Sequence, residues 1–272
     1  MISVIIPCKT KTDLCPELLP ALKNSQIIIV DDKTCPGSPA EKRDWAAHRA
    51  KGEILAFIDS DAYPDKNWLK NAQKLLKPAK LGAVCGPGLT PPTDNWRQKI
   101  SGLVWSSWLG AGGAGTYRNR LEKSRLVDDY PTFNFLIKKT DFLKIHGFNT
   151  KFWPGEDTKL CHDLVYKLNQ QILYSPQIIV YHHRRPIFIP HLRQIFRYGR
   201  QRGRFMKLFP QTSLRPGYFL PLLIPLVFPI YFIALLLTGI FHRSLLLIPA
   251  IFLTHLIYSL GLIIGLASAN NP

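Results

Sequence analysis

The C-terminal part of the chain lacks acidic residues, because no Asp or Glu follows Asp163 in the 272-residue sequence. About a third of the 35 Lys and Arg lie beyond that position, so this part carries only positive formal charge. A purely cationic segment is typical of proteins that bind nucleic acid or an anionic membrane surface. The sequence contains no recognised nucleic-acid-binding module, so we expect a lipid bilayer and no nucleic acid as the partner.

Two stretches lack Asp, Glu, Lys and Arg altogether: residues 218–240 and residues 245–267. Each is long enough to cross about 30 Å of hydrocarbon, and the four-residue break between them predicts a transmembrane hairpin. A pair of buried core helices is the alternative. Basic residues are dense between Arg184 and Arg215, whereas the hairpin tip has only Arg243. This bias predicts that the N-terminal part and the C-terminus both face the cytoplasm at an inner or plasma membrane.

The five cysteines show no pairing pattern, and we expect no N-terminal signal peptide. The sequence has no CxxC motif, which favours reduced thiols in a cytosolic environment. The apolar run at the start of the chain ends at Pro7 and is too short for a signal peptide.

Strand and helix patterns alternate over the N-terminal part. Apolar, β-branched runs predict strands at Ser3–Pro7, Gln26–Asp31 and Ile54–Asp59, with further strands at Asn134–Lys138, Ile172–Tyr174 and Ile178–His182. Helical spacing predicts helices at Leu14–Asn24, Ala40–Ala50, Lys66–Lys77, Trp96–Leu109 and Glu156–Leu168. Apolar strands separated by helices are typical of an α/β fold with a parallel sheet covered on both faces.

The glycine-rich segment at residues 110–115 formally fits GxGxxG. It follows a helix rather than a strand, so the context for dinucleotide binding is missing. We expect a mobile loop over the active site instead.

Polar and acidic residues follow the first three predicted strands: Pro7-Cys8-Lys9, Asp31-Asp32 and Asp59-Ser60-Asp61. Ligands of open α/β sheets bind outside the carboxyl ends of the strands. Two carboxylates two residues apart on a turn can bind one hard divalent cation, which in turn neutralises a diphosphate. The alternative is a turn whose Asp side chains cap the next helix.

The order of VIIPCKT, IIIVDDKT, RDWAAHRAKGEILAFIDSDAYP, GFNTKFWPGEDTKL and SPQIIVYHH resembles the glycosyltransferase family 2 pattern over residues 1–204. The resemblance implies an inverting enzyme of GT-A (Rossmann-like) fold that uses a nucleotide-sugar and Mg²⁺ or Mn²⁺. This sequence departs from the family's usual Arg-Asn-x-Gly segment, because Asp44 and Ala46 replace the Asn and the first Gly.

The resemblance implies a role for each matching residue. Pro7, Asp31 and Asp32 hold the nucleoside, Arg43 and Ser60 contact the donor, Asp59 lies near the ribose or the metal, and Asp61 is the direct metal ligand. His182 lies six residues after Pro176 and matches the family's downstream metal ligand, with His183 as the alternative and a polar strand end as the competing interpretation. Asp157 is the expected general base, with Glu156 as its competitor, although the helix dipole alone favours acids at this helix start. Asn134 matches a position on the acceptor side.

The segment from His191 to Phe209 has basic residues at helical spacing on one face and apolar residues on another, which predicts an interfacial amphipathic helix on anionic lipid. Within it, Gln194 and Arg197 fall in a segment that resembles the Gln-x-x-Arg-Trp signature of processive family members, with Tyr198 in place of Trp. That signature places both residues near the diphosphate and the acceptor. A chance match in an arginine-rich helix is the alternative, and we infer no polymer synthesis from it.

These features leave three candidate functions. The leading hypothesis is a glycosyltransferase with a catalytic domain at 1–190, an interfacial helix and linker at 191–215 and a membrane hairpin at 216–272. It would transfer sugar to a polyprenyl phosphate, a lipid-linked saccharide or a cell-envelope glycan. A nucleotidyltransferase usually has a Gly-rich loop after its first strand, and this sequence has none there. The third hypothesis, a non-catalytic nucleotide-binding membrane anchor, does not explain why both Asp61 and Asp157 are present.

Overall fold

The computed structural model of the chain describes residues 1–22, 25–112 and 115–268. These residues form two units. Unit 1 comprises Met1–Leu89 and Leu121–His182, and unit 2 comprises Thr90–Arg120 and the chain from His183 onward. Residues 90–120 thus group with the C-terminal part, whereas the sequence prediction includes them in domain 1–190.

The described residues of unit 1 form ten strands in two sheets. The strands are β1 Ile2–Pro7, β2 Gln26–Val30, β3 Ile54–Ile58, β4 Ala62–Pro64, β5 Leu81–Cys85, β6 Gly88–Leu89, β7 Arg125–Val127, β8 Asn134–Lys138, β9 Gln171–Tyr174 and β10 Val180–His182. The larger sheet has the order β2-β1-β3-β8-β5-β9-β7, and the smaller has the order β4-β10-β6.

The described helices are shared between the units. Unit 1 has α1 Leu18–Ala21, α2 Pro39–Arg49, α3 Trp68–Leu75, α5 Lys139–Lys144 and α6 Glu156–His162, and unit 2 has α4 Trp96–Ser106, α7 Ile189–Leu208, α8 Pro210–Ser213, α9 Phe228–Phe241 and α10 Leu247–Ala267. A π-helical turn, Asp163–Lys167, continues α6, and short 3-10 turns lie at Lys11–Asp13, Thr116–Arg118, Thr150–Phe152, Pro216–Tyr218 and Leu220–Leu223.

The sheet is mixed rather than parallel, which corrects the prediction from the sequence. β1 runs parallel to β2 and β3, but β8 lies between β3 and β5 and is antiparallel to both. The first four residues of β8 are buried. A fully buried strand is apolar whichever way it runs, so the hydrophobic pattern does not reveal its direction.

The core of unit 1 lies on both faces of the central strands. All six residues of β1 are buried. The rings of Phe57, Phe142 and Phe148 have centroids 5.3–5.5 Å apart, within the range of favourable aromatic pairs. The turn before β3 passes so close to β1 that a Cβ at Gly52 would lie 2.5 Å from the Ser3 nitrogen. This close approach keeps α2 and β3 tightly joined beside β1.

The predicted elements of unit 1 are confirmed except near α1. β1, β2, β3 and β9 match within one residue, β8 matches at both ends, and β10 is shorter than predicted. The helix expected at Leu14–Asn24 is a single turn, Leu18–Ala21, and residues 23 and 24 of that prediction lie outside the described residues. The glycine-rich segment at 110–115 includes residues 113 and 114, which also lie outside them, so its predicted mobility is untested.

In unit 2, α7 and α10 pack side by side through glycines. A Cβ at Gly199 would lie 2.4 Å from a backbone oxygen of α10, and one at Gly265 would lie 2.0 Å from a backbone oxygen of α7. Gly203 and Gly261 make the same kind of approach. Small residues four apart let two helix backbones meet in this way.

The two helices run in the same direction along most of their length. Nε2 of His191 lies 2.9 Å from Oγ1 of Thr254, and Nζ of Lys207 donates to the Ser268 oxygen at 2.5 Å near the other end. A helix lying on a membrane would instead cross one that spans it. The predicted surface position of α7 is therefore not confirmed, because α7 lies alongside the predicted span at 245–267.

The first predicted span, 218–240, is not one continuous helix. Its N-terminal half contains short 3-10 turns, and only α9 is regular, because prolines at 221, 225 and 229 interrupt the backbone hydrogen bonds. α9 has 14 residues and is about 21 Å long, shorter than the hydrocarbon layer. Among the described residues, α10 is the one helix long and apolar enough to cross a membrane. The two-span hairpin is therefore not confirmed.

Candidate active site

The strongest cluster of candidate ligands is formed by Asp59, Asp61 and His182. Asp59 follows β3, Asp61 precedes β4, and the pairing of His182 with Ala62 in the small sheet brings β10 beside them. Nε2 of His182 lies 3.1 Å from Oδ1 of Asp61. One ligand atom from each of the three side chains lies within 4.8 Å of the others. The structure thus brings together three residues that are up to 123 positions apart in sequence.

This donor set fits a divalent cation. Carboxylate oxygens suit Mg²⁺ and Mn²⁺, and an imidazole nitrogen is compatible with Mn²⁺. The Asp61 side chain is 41% exposed, so it can reach a ligand from solvent. The His182 ring stacks on Phe133 with centroids 4.9 Å apart, which fixes the plane of the imidazole. His183 is not in this cluster, because its Nδ1 lies 2.5 Å from Oδ1 of Asp94 in unit 2.

Arg43 joins the acidic turn to the start of α6. Its Nη2 donates to Oδ1 of Asp59 at 2.6 Å, and its Nη1 donates to Oε1 of Glu156 at 3.4 Å. The Arg43 side chain is only 5% exposed. Its buried Nε has no hydrogen-bond partner among the described residues. The guanidinium is therefore committed mainly to two carboxylates, and the predicted donor contact of Arg43 stays a prediction.

Asp157 has the environment of a general base. It lies in the first turn of α6 and is partly buried, and its Oδ1 accepts the Thr158 backbone N–H at 2.8 Å. Burial, followed by the charges of Glu156 and Asp129, raises the pKa of Asp157 to about 7. A carboxyl group whose pKa lies near the working pH is ionised in a large fraction of molecules and is still basic enough to accept a proton. Glu156 is tied to Arg43 and to the Gly155 N–H, so the geometry favours Asp157 over Glu156.

The carboxyl ends of β1 and β2 form the predicted nucleoside side of the site. Pro7 pairs with Val30, so Asp31 and Asp32 follow directly beside the end of β1. The hydroxyl and backbone N–H of Thr34 both donate to Oδ1 of Asp31, which lowers the pKa of that carboxyl. Asp32 forms an ion pair with Lys42.

Two residues that contact the site, Lys42 at the end of β1 and Asp129 beside α6, were missed by the sequence reasoning. Nζ of the buried Lys42 also donates to the Cys8 carbonyl at 2.8 Å, so it links α2 to the end of β1. Asp129 accepts the Thr158 hydroxyl at 2.8 Å and contributes to the high pKa of Asp157. Neither residue lies in a sequence motif. Folding of the chain brings them to the site, and no local sequence pattern indicates this.

The other predicted site residues, which are Asn134, Ser60, Gln194 and Arg197, lie in different parts of the structure. Asn134 is fully buried, with its Oδ1 accepting from Trp68 Nε1 at 2.9 Å and its Nδ2 donating to the carbonyls of Gly86 and Ile178. The structure thus gives Asn134 a core role, and its acceptor contact stays a prediction. The Ser60 carbonyl accepts the Cys15 N–H at 2.8 Å. Gln194 and Arg197 lie on α7 in unit 2, and their predicted contacts with the diphosphate and the acceptor stay predictions.

Comparison with a solved structure defines the fold class. The structure is similar to the mannosyltransferase PcManGT from Pyrobaculum calidifontis, solved in complex with GDP-Man and Mn²⁺, with a TM-score of 0.60 and 16% sequence identity. The match covers 98% of this chain and 87% of that one. The protein therefore has an α/β, GT-A-like fold with a mixed sheet.

Sequence comparison also finds a profile match in the N-terminal part of the chain. Residues 37–145 match the profile described as Glycosyl transferase family 2. This segment contains Arg43, Asp59 and Asp61. The domain match and the fold together support a glycosyltransferase.

Two curated relatives are similar in sequence over about two thirds of this chain. The "Pre-mycofactocin glycosyltransferase" of Mycobacterium tuberculosis (strain CDC 1551 / Oshkosh) is 23% identical over 215 residues, which cover 68% of this chain and 43% of the relative. The "Dolichyl N-acetyl-alpha-D-glucosaminyl phosphate 3-beta-D-2,3-diacetamido-2,3-dideoxy-beta-D-glucuronosyltransferase" of Methanococcus voltae is 24% identical over 196 residues, covering 70% of this chain and 57% of the relative. The chain therefore spans about half the length of the curated relatives it matches.

Proposed function

We propose that the protein is an inverting glycosyltransferase that moves a sugar from a nucleotide-sugar donor to a membrane-associated acceptor. The observation that carries the proposal is the placement of Asp59, Asp61 and His182 within ligand distance of one another inside unit 1. The similar mannosyltransferase of P. calidifontis was solved with GDP-Man and Mn²⁺, which agrees with a donor and a divalent cation of this type.

Each polar group has a distinct task in the proposed reaction. Asp31 and Asp32 bind the nucleoside side of the donor, and Ser60 contacts the donor beside the acidic turn. Asp59, Asp61 and His182 hold Mg²⁺ or Mn²⁺, which supplies positive charge to the departing nucleoside diphosphate when bound.

Asp157 takes the proton of the acceptor hydroxyl as that oxygen attacks the anomeric carbon. The bond from this carbon to the donor phosphate breaks on the opposite side, so a single displacement inverts the configuration. Glu156 and Arg43 hold the start of α6 against the acidic turn, because Arg43 pairs with both Glu156 and Asp59. This link holds Asp157, the proposed base, in a fixed position relative to the acidic turn on the donor side.

Unit 2 supports membrane attachment. It has many exposed apolar side chains, with Leu226 80%, Phe241 81% and Leu245 75% exposed. Exposed apolar surface on this scale marks a membrane or a protein interface, and the basic composition of the unit favours an anionic bilayer. The name of the M. voltae relative contains a dolichyl phosphate-linked sugar, which agrees with a lipid-linked acceptor.

The finer topology is also a proposal. Residues 1–190 form the catalytic domain on the cytoplasmic side of an inner or plasma membrane, residues 191–215 connect it to the anchor, and residues 216–272 are the anchor. A C-terminal tag accessible only from outside the cytoplasm would contradict a hairpin whose two ends face the same side.

The activity test is donor turnover by the detergent-purified chain with Mn²⁺ and a panel of nucleotide-sugars. We expect release of the nucleoside diphosphate from at least one donor and its loss in Asp61→Ala. Asp65→Asn is the matched control, because Asp65 lies four positions further along the same segment and is not in the metal cluster. Absence of turnover and of donor binding across the whole panel would reject the proposal.

A further inference from the structure

An apolar groove runs between α7 and α10 in unit 2. Its lining residues are Ile189, Leu192, Arg193, Phe196 and Arg197 from α7 and Ile257 from α10, and its volume is about 320 Å³. Leu192, Phe196 and Ile257 are half-buried, whereas both arginines are exposed. The groove thus combines a hydrocarbon floor with two guanidinium groups at its rim.

The two arginines are available for an anionic ligand. No hydrogen bond or ion pair joins either one to another residue within the described part of the chain. They lie four positions apart, one helical turn or about 6 Å, so both can reach one phosphate group. Guanidinium groups bind phosphate through paired, charge-assisted hydrogen bonds.

The charge of unit 2 favours an anion over any other ligand. The sequence of Thr90–Arg120 and His183–Pro272 contains fourteen Lys and Arg and a single acidic residue, Asp94. Asp94 is already engaged with Nδ1 of His183 and with the Arg184 backbone N–H. An anionic headgroup near the groove is therefore attracted by the positive charge of unit 2, which contains almost no negative charge.

The size of the groove limits its hydrocarbon content. A volume of about 320 Å³ lies at the lower end of the range for small-molecule pockets, which favours one hydrocarbon chain over two. Exposed apolar residues of α10 near Ile257 in sequence, Leu256 and Leu260, would allow a longer chain to continue into the bilayer.

We propose that this groove binds a single-chain lipid phosphate monoester, with the chain on Leu192, Phe196 and Ile257 and the phosphate on Arg193 and Arg197. As a lipid-binding site the groove stands independently. Its use as the acceptor site rests on the proposed glycosyltransferase function.

The test is equilibrium binding to the full chain in a neutral detergent, without donor or metal. The probes are farnesyl phosphate, farnesol, inorganic phosphate and a short-chain phosphatidylglycerol. We expect farnesyl phosphate to bind at least tenfold more tightly than each of the other three. Arg193→Gln/Arg197→Gln should weaken farnesyl phosphate binding by about tenfold or more and leave farnesol binding unchanged, since charge-assisted hydrogen bonds to phosphate account for the difference.

Two further variants separate the groove from general surface charge. Arg200→Gln removes a charge from the same exposed stripe of α7 but lies outside the groove lining, so it should leave farnesyl phosphate binding within about twofold. Ile257→Trp fills the groove and should weaken both prenyl probes. Circular dichroism and thermal denaturation confirm that each variant is folded.

Equal sensitivity to Arg200→Gln and to the double variant would overturn the proposal in favour of diffuse charge. Equal binding of phosphatidylglycerol would assign the groove to bulk anionic lipid. Equal binding of inorganic phosphate would show that the hydrocarbon chain of the ligand has no role in binding. Farnesyl phosphate binding without any donor turnover would reject the proposed activity and leave the groove assignment intact.

Discussion

Replacement of Arg43 by Met tests how the candidate active site is held together. The Arg43 side chain is 5% exposed, and it pairs with Asp59, which is 33% exposed, and with Glu156, which is 9% exposed. Arg43→Met keeps most of the side-chain volume and removes the charge. Both carboxylates then lose their cation in a poorly solvated site.

The magnitude follows from these exposures. Removal of one partner from a buried ion pair costs about 3–5 kcal/mol, and an exposed pair contributes about 0–1 kcal/mol. Because Asp59 is partly solvated and the Glu156 contact is long at 3.4 Å, we expect a loss of about 2–4 kcal/mol. For a domain of this size the loss lowers Tm by about 5–15 °C. The double variant Arg43→Met/Glu156→Gln should regain part of it.

Thermal denaturation of the detergent-purified variants measures the stability effect, with Arg49→Met as the control. Arg49 is an exposed residue of α2 whose guanidinium lies over the Trp45 ring at 3.9 Å, so its loss should cost less than about 1 kcal/mol. Arg43 also lowers the pKa of Asp157. The turnover rate of Arg43→Met should therefore increase over a higher pH range than the turnover rate of the wild type. Equal Tm values for Arg43→Met and Arg49→Met, with the same pH profile, would refute this reasoning.

Three other predictions follow from the same contacts. Because ionised Asp157 acts as the base and its pKa is raised to about 7, turnover should increase with pH through about 7. Asp157→Asn should abolish transfer while donor binding persists. A turnover profile that is flat from pH 5 to 8 would contradict this role. Trp68→Phe leaves the buried Asn134 oxygen without its donor and should cost about 1–3 kcal/mol in chemical denaturation, whereas an unchanged unfolding midpoint would show that the bond is dispensable. Gly203→Ala places a Cβ 2.3 Å from a backbone oxygen of α10 and should cost about 1–3 kcal/mol, whereas Gly115→Ala, with its nearest neighbour at 3.9 Å, should be almost neutral; equal melting curves would contradict the close packing.

The strand ends of unit 1 could be predicted from the sequence because the relevant signals are local. The runs that form β1, β2 and β3 are apolar and end at residues with polar chemistry, and the acidic turn at 59–61 follows directly. The pairing of His182 with Asp61 needed the family resemblance, because 121 residues separate them. The antiparallel direction of β8 was missed, since a fully buried strand has the same composition in either direction.

The C-terminal part was predicted less well for a different reason. Residues 218–240 have the composition of a span, but three prolines break the helix, and composition alone does not measure regular length. The glycines at 199, 203, 261 and 265 were not recognised as a packing pattern, because the two pairs lie about sixty residues apart. That pattern decides that α7 lies along α10.

The Lys42 and Asp129 contacts could not be predicted from local sequence. Lys42 is a buried helical lysine that forms an ion pair with Asp32, and Asp129 lies in a connecting segment before β8. Lys42 contacts Asp32, ten positions away, and the Cys8 carbonyl, whereas Asp129 contacts Thr158, 29 positions away. No periodicity of charge or hydropathy marks such pairs.

Titration of Mn²⁺ by electron paramagnetic resonance, with a nucleoside diphosphate present, tests the central claim most directly. We expect one bound Mn²⁺ per chain in the wild type and in Asp65→Asn. We expect at least about tenfold weaker binding in Asp61→Asn and in His182→Asn, since each removes one ligand of the cluster at 59, 61 and 182. Unchanged Mn²⁺ affinity in both ligand variants would contradict the assignment of this site.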